Sequence, residues 1–445
     1  MTMLTATTDQ ALRSALGAAL AHARRQTDVL FDLVRPAALY RRPIPERHRL
    51  IFYLGHLEAF DWNLLCRDAL GREPFDASHD RLFAFGIDPL DGLPSDEPGD
   101  WPSVGEVRSY ASRVRAALDD ALADVRLVRA PSPWLERGWA IHLAIEHRLM
   151  HAETLAYLLH ELPFEAKLPG PAPDPAAPAA ARRLVPIPRG CATLGLDRAR
   201  NPTLGWDNEY QLLRVDVPAF AIESHPVSCG EFLRFVQEGG YQEPSLWTEE
   251  AWAWRCACEL EHPHRWLERA GSWWYRTMFA EVPLPLSWPV YVSHAEASAY
   301  ARWVGRRLPS EAEFHRAAYA TPEGVTRAYP WGSAEPEPRH GVFGFATWDP
   351  EPIGSRPDGD SAFGVGDLVG NGWEWTRTPF APFPGFEPLP FYPGYSADFF
   401  DARHFVLKGG SPRTDVSLLR RSFRNWFQPH YPYVYAGFRC VEDRG

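Results

Sequence analysis

Long apolar runs are missing from this chain. No segment approaches the ~20 residues that a bilayer-spanning helix needs, so a helical membrane protein is not expected. The N-terminus has no continuous apolar leader core, because Arg13, Arg24 and Arg25 interrupt an amphipathic helical pattern. A cytoplasmic location is the expectation. Cysteine is sparse: six residues, at 66, 191, 229, 256, 258 and 440, are scattered over 445 positions. Cys256 and Cys258 stand too close for a usual zinc knuckle, and no second pair answers them. Six free thiols are expected, with neither a disulfide framework nor cysteine ligation of a metal. An excess of positive charge is also missing. The formal net charge of −11 disfavours nucleic acid and anionic membrane as partners. No internal repeat is visible.

What remains is the composition of a globular protein, 45% hydrophobic and 23% charged. Its length gives room for two or three cores. Aromatic residues are abundant after position 200. They fit either a large irregular core or an aromatic-lined pocket.

Residues 1–165 read as helical. Ala11–Val34, Ile44–Leu70, Val104–Leu127 and Trp139–Leu162 carry apolar residues at helical spacing with few breakers. Four such segments suggest a bundle, and bundle cores commonly hold metals between facing helices. A long loop rich in Asp, Pro and Gly, Arg72–Trp101, separates the second and third. Loops of that length are often functional. A Pro/Ala-rich linker, 166–183, marks a domain boundary. From 184 to 445 short segments are punctuated by Gly, Pro and Trp. Helices are expected at Cys229–Glu238, His294–Val304 and Ser310–Ala320, in an irregular α+β domain.

The most informative stretch is His147-Arg148-Leu149-Met150-His151-Ala152-Glu153, inside the fourth helical segment. Residues four apart lie one turn apart on one helix face, so His147 and His151 can grip one ion. Two imidazoles make a weak site, and a catalytic metal usually takes three protein ligands. His56, in the apolar helical segment Ile51–Trp62, is the best third ligand. Glu153 lies about 200° around the helix from His151, so it supports the site or faces another helix. His142, five residues before His147, fails the same spacing test.

The motifs of the second half resemble a known family. Trp303–Phe314, Gly370-Asn371-Gly372-Trp373-Glu374-Trp375-Thr376, Lys408–Ser411, Arg421–Asn425 and Gly437–Arg439 carry the likeness. So do Pro226-Val227, Gly239–Tyr241, Pro289-Val290 and Glu296-Ala297. Residues 184–445 resemble the formylglycine-generating-enzyme-like domain, a C-type-lectin-like fold. Residues 1–165 resemble the DinB-like four-helix bundle. The fusion, with His56 and the His-x3-His-x-Glu motif, resembles the ergothioneine-type sulfoxide synthases and their selenoneine-synthase branch. That resemblance implies mononuclear non-haem Fe(II) held by His56, His147 and His151. It implies O2-dependent attachment of a thiol or selenosugar donor to C2 of the imidazole of hercynine, which is trimethylhistidine. Three neutral imidazoles leave positions open on such an ion, and coordination lowers the pKa of a donor thiol.

The same resemblance points to Asn425 and Trp426 as hercynine contacts. Asn425 can hydrogen-bond a carboxylate or an imidazole, and Trp426 can face a trimethylammonium group. Phe427 could extend that apolar cage. It stands where branches using γ-glutamylcysteine carry an Asp, which turns the reading from a γ-glutamyl donor toward a selenosugar. The loop at Phe85–Pro89 resembles the selenoneine branch as well. Met150 fills core or lines a sulfur or selenium pocket. Tyr392 or Tyr395 is expected as proton donor. Arg81 and Arg420 are candidates for holding the donor. Gly370-Asn371-Gly372 is read as a structural turn. The active site is expected where the two domains meet.

Other readings compete. Formylglycine generation needs a reactive cysteine pair, and the C-terminal region has only Cys440. A lectin-like sugar- or peptide-binding module and a DinB-type thiol transferase using zinc or nickel are the remaining alternatives.

Overall fold

Proline decides where the second helix can start. A single helix from Ile44 to Leu70 is the reading of the sequence. In the computed structural model, which describes residues 8–84, 97–174, 180–198 and 205–444, that stretch is divided. A 3-10 turn at Pro36–Tyr40 is followed by bends and a turn over residues 43–47, where Arg47 N donates to Ile44 O. Neither Pro43 nor Pro45 can supply a backbone donor. The helix α2 therefore runs Leu50–Asp61 and continues into a π-helical segment, Trp62–Ala69.

The chain divides into two units, Met1–Pro169 and Gly170–Gly445. In the first, α1 spans Asp9–Asp32, α3 Ala77–Leu82, α4 Val104–Ala123 and α5 Trp139–Glu161. Each start has a local cause. Thr8 accepts from Ala11 N at the head of α1. Ser103 and Glu106 form a reciprocal capping box on α4. The helices α1 and α4 bury one stripe each, while α2 and α5 are buried almost all round. A helix that is apolar on every face belongs in the middle of the bundle.

Two details depart from the sequence reading. The loop Arg72–Trp101 contains α3, capped by Asp76. Its stretch Phe85–Pro89 lies outside the described residues. Residues 166–168, at the start of the stretch read as linker, are bonded to the bundle: Leu168 N donates to Leu33 O, Arg35 N donates to Ala166 O, and the Lys167 side chain donates from Nζ to Leu159 O at 2.7 Å.

The second unit is built from small sheets. β1 (Leu184–Ile187), β4 (Phe220–Glu223) and β12 (Val441–Asp443) form one sheet in the order β1-β4-β12. β2 (Gly190–Leu194) pairs with β3 (Leu213–Val217). β5 (Trp266–Arg269), β6 (Ser272–Arg276) and β7 (Glu281–Pro283) form a meander. The fourth sheet has the order β10-β9-β8-β11, with β8 at Gly372–Pro379, β9 at Phe405–Gly410, β10 at Asn425–Phe427 and β11 at Ala436–Gly437.

The helices α6 (Cys229–Gln237), α8 (His294–Trp303) and α9 (Glu311–Tyr319) fall where expected. Each starts at a Ser-x-x-Glu capping box. A further helix, α7 (Glu249–Ala257), was not read from the sequence, and α10 (Gly394–Ala397) is a single turn. The core is shared by several small elements: Val185, Ile187, Leu194, Phe220, Ile222, Phe314, Leu368 and Val441 pack in one cluster. Gly370-Asn371-Gly372 is a structural turn. Gly370 has φ +91° and Asn371 φ +63°, and the Asn371 amide closes onto the backbone of Glu351. Among the described residues no helix is long and apolar enough to cross a membrane.

Candidate metal centre

The helical spacing of His147 and His151 is realised on α5. The two Nε2 atoms lie 3.2 Å apart. α2 presents His56 to the same point, and one ligand atom from each of the three imidazoles falls within 4.8 Å of the others. All three side chains are buried. This is the one group of three or more potential metal ligands among the described residues. Glu153 and His142 are outside it.

The three rings are held in different ways. His56 Nδ1 lies 2.7 Å from the carbonyl oxygen of Phe83. That bond puts the proton on Nδ1 and leaves Nε2 as a lone-pair donor. Phe83 caps the end of α3. Its ring lies so close to α2 that a Cβ on Gly55 would come within 2.4 Å of it. Gly55 is therefore what lets Phe83 reach His56. His147 is held by stacking on Phe60, with centroids 3.5 Å apart and planes 11° from parallel. His151 lies against Tyr53 at 5.5 Å. Neither His147 Nδ1 nor His151 Nδ1 meets a protein hydrogen-bond partner.

Burial keeps all three imidazoles neutral. It lowers the His56 pKa to about 4, against the opposing effect of the Phe83 bond. His147 and His151 are pushed well below the usual value, first by burial and then by the neighbouring imidazoles and cationic side chains. Three neutral nitrogens, converging in an apolar interior with two orphaned ring atoms behind them, fit a divalent first-row ion.

Beside the histidines runs a buried ionic network that the sequence reading missed. Arg148 is fully buried. Its guanidinium bonds both Glu58 oxygens at 3.0 and 2.9 Å, Asp61 at 2.7 Å and the Leu57 carbonyl at 3.1 Å. Arg115 reaches Glu58 at 2.8 Å and Asp28 at 2.7 Å. An arginine amid the apolar residues of a buried helix was the available signal.

The remaining predicted site residues of the bundle are less central. Met150 is half-buried and Arg81, in the last turn of α3, is exposed.

In the second unit, Asn425, Trp426 and Phe427 form the edge strand β10. Successive strand side chains leave opposite faces of a sheet. Trp426 lies flat on Phe380 at 4.1 Å, with Tyr395 at 5.5 Å and Phe399 at 5.7 Å. Phe427 instead stacks on Tyr431 at 5.2 Å. The expectation that Phe427 extends the cage around Trp426 is therefore corrected: alternation sends it to the other side. Tyr395 is buried, stacked on Trp206 at 4.1 Å, while Tyr392 is half-buried.

Arg420 is held by both oxygens of Glu209. Arg424 pairs with Glu311 at 3.1 Å and passes over Phe383. Lys408 donates to the carbonyls of Arg421 and Phe423. These buried pairs pin the chain leading into β10. Cys440, the cysteine nearest the C-terminus, is buried, and burial raises its thiol far above the ordinary value.

The comparisons with known proteins follow the same division. The sulfatase-modifying factor enzyme 1-like domain family matches residues 171–444, and the DinB superfamily matches 19–155. The hercynine oxygenase of Mycobacterium tuberculosis is 38% identical over 348 residues, 77% of this chain and 78% of that one. The hercynine oxygenase of Mycolicibacterium smegmatis is 34% identical, covering 97% of this chain and 99% of its own. Ergothioneine biosynthesis protein 1 of Neurospora crassa is 30% identical over 91% of this chain and 55% of that protein.

A helical bundle with a buried three-histidine cluster, joined to a sulfatase-modifying-factor-like domain, defines a class of two-domain proteins with a metal-ligand set. Within that class the chain belongs to the ergothioneine-type sulfoxide synthase family.

Proposed function

We propose that this chain is an iron(II)-dependent enzyme that uses O2 to join a selenium or sulfur donor to C2 of the hercynine imidazole. The single observation that carries the reading is the buried His56–His147–His151 cluster, in a chain similar over nearly its whole length to a hercynine oxygenase. Iron(II) held by the three Nε2 atoms would supply the redox chemistry that O2 needs to react with singlet organic substrates.

The protein's own residues have separable tasks. His56, His147 and His151 offer neutral nitrogens, so metal binding need not displace protons from them. Phe52, Tyr53 and Phe60 surround the rings with apolar surface. Trp426, with Phe380, Phe399 and Tyr395 around it, suits a trimethylammonium group. Asn425 can accept or donate to the substrate's polar end. The phenolic groups of Tyr395 and Tyr392 are the proposed proton donors. Buried Cys440, with no second cysteine near the C-terminus, argues against formylglycine chemistry.

The finer reading is a selenosugar donor, as in the selenoneine branch. Phe427 supports it, because a phenyl ring carries no charge with which to form an ion pair with the ammonium of a γ-glutamyl or cysteine donor. Met150 adds a soft, polarisable surface beside His151. Arg81 remains a proposed contact for the donor. Arg420 is a weaker one, since Glu209 already occupies its guanidinium.

The test is a competition. Anaerobically purified protein is loaded with Fe(II) and given hercynine, O2, a selenosugar, its thiosugar counterpart, cysteine and γ-glutamylcysteine together. A dominant hercynyl–selenium adduct in the mass spectrum is the expected result. A dominant sulfur adduct of cysteine or γ-glutamylcysteine would assign the chain to ergothioneine synthesis. No adduct from iron-loaded protein would sink the hercynine reading and favour a binding module or a thiol transferase.

A further inference from the structure

Two of the three ligand rings lack the support that metal-binding histidines usually have. A ligating imidazole normally donates its second nitrogen to a carboxylate or carbonyl, which fixes the ring. His56 does so, to Phe83. His147 and His151 have no such protein acceptor for Nδ1. Their position depends on where α5 itself sits.

The residue that follows His147 ties α5 to α2. Arg148 forks onto Glu58, bonds Asp61 and reaches the Leu57 carbonyl, all on α2. Leu57 and Glu58 directly follow His56. Arg115 on α4 ties Glu58 to Asp28 on α1. One connected set of charges therefore joins four helices at the level of the metal ligands. Buried ion pairs of this kind are a poor source of stability, because desolvation offsets their attraction. Their best-attested use is to select one register among several similar packings.

We propose that Arg148 is a positioning residue: its clamp on Glu58 and Asp61 sets the distance and register between the His147–His151 pair and His56, and so the geometry of the bound metal. A bidentate guanidinium suits this task because its planar fork fixes direction as well as distance. The inference rests on the three histidines binding a metal, as proposed above.

Co(II) is the probe, since its visible d–d bands report coordination number and geometry and need no catalysis. The full chain is titrated as wild type, as R148K and as the apolar replacement E58M/D61L/R148M, in which Arg115 keeps Asp28. Unfolding is followed by far-UV circular dichroism on the same samples.

The expected result is that both variants fold, and that the apolar replacement resists urea at least as well as wild type. Both bind Co(II) at least tenfold more weakly, with shifted or weakened d–d bands. Folded variants with wild-type affinity and spectrum would overturn the proposal and leave the network a purely structural feature. Failure of both variants to fold would overturn it too, because the network would then be needed for stability. A wild-type chain that binds no Co(II) would instead refute the metal reading on which the proposal rests.

Discussion

Phe60 lies flat on the imidazole of His147, with ring centroids 3.5 Å apart and planes 11° from parallel. The two residues come from different helices, α2 and α5, so the contact both packs the bundle and orients a ligand. Stacked aromatic pairs contribute about 0.5–1.5 kcal/mol beyond their buried area. F60A is expected to weaken metal affinity by roughly tenfold, the upper part of that range. F60H, which keeps a planar ring, should recover much of the loss. Equilibrium titration of the metal-free protein measures both. Equal affinity in F60A and wild type would contradict the stacking role.

Gly55 makes a sharper case. A Cβ at this position would collide with the Phe83 ring, whose carbonyl holds His56. G55A is expected to cost about 1–3 kcal/mol of stability through overpacking and to release His56 from its acceptor. Urea denaturation reads the first effect. The second appears in the chemical shifts of isotopically labelled His56, which should change tautomer population. Wild-type stability and an unchanged His56 signal would refute it.

The neutral state of the three histidines has a consequence for pH. Their folded pKa values are depressed, His56 to about 4 and the others well below the usual value. Depressed groups give stability that is fully present above the unfolded value of about 6.5 and is lost as pH falls through the folded values. The unfolded chain takes up three protons that the folded chain refuses. Metal-free protein should therefore lose about 1.4 kcal/mol of stability per pH unit from His56 between about pH 6.5 and pH 4, with His147 and His151 adding loss in the same direction. H56A should show the shallower slope. Urea unfolding in chelator at stepped pH measures the slope, and a flat profile would contradict it.

The opposite faces of β10 separate two effects. Trp426 stands with Phe380, Phe399 and Tyr395, while Phe427 stacks on Tyr431. W426A is expected to raise the KM for hercynine at least tenfold, within the ~2 kcal/mol of a desolvated cation–π contact, and to leave metal content unchanged. F427D should change the preference among donors and leave the hercynine KM within about threefold, below ~0.7 kcal/mol. Steady-state kinetics with each substrate varied in turn decides it. Equal effects of both variants on hercynine would contradict the separation.

The parts legible in the sequence are those governed by local spacing. His147 and His151 declare themselves because four residues make one turn, and the chain divides between Pro169 and Gly170, at the Pro-rich composition shift. His56 is readable only as a polar residue in an apolar helix. Its partner, the Phe83 carbonyl, is a backbone atom brought in at the end of another helix 27 positions away in sequence, and nothing in the residue types announces it. Arg148 was visible as a charge where none should survive, yet its partners Glu58 and Asp61 belong to another helix and the pairing is tertiary. The placement of Phe427 was available from the two-residue period of a strand. Reading Asn425-Trp426-Phe427 as one motif hid that period. The pairing of Arg420 with Glu209, 211 positions apart, depends wholly on the fold.

Hercynine-dependent O2 uptake tests the central claim most directly. Protein is loaded with one Fe(II) per chain and followed with an oxygen electrode, with donor present and hercynine added last. The account predicts uptake that starts on hercynine addition, scales with bound iron, and disappears in H56A, H147A and H151A although each variant remains folded. Uptake that persists in those variants, or an iron-loaded wild-type chain that consumes no O2 with hercynine and every donor present, would contradict it.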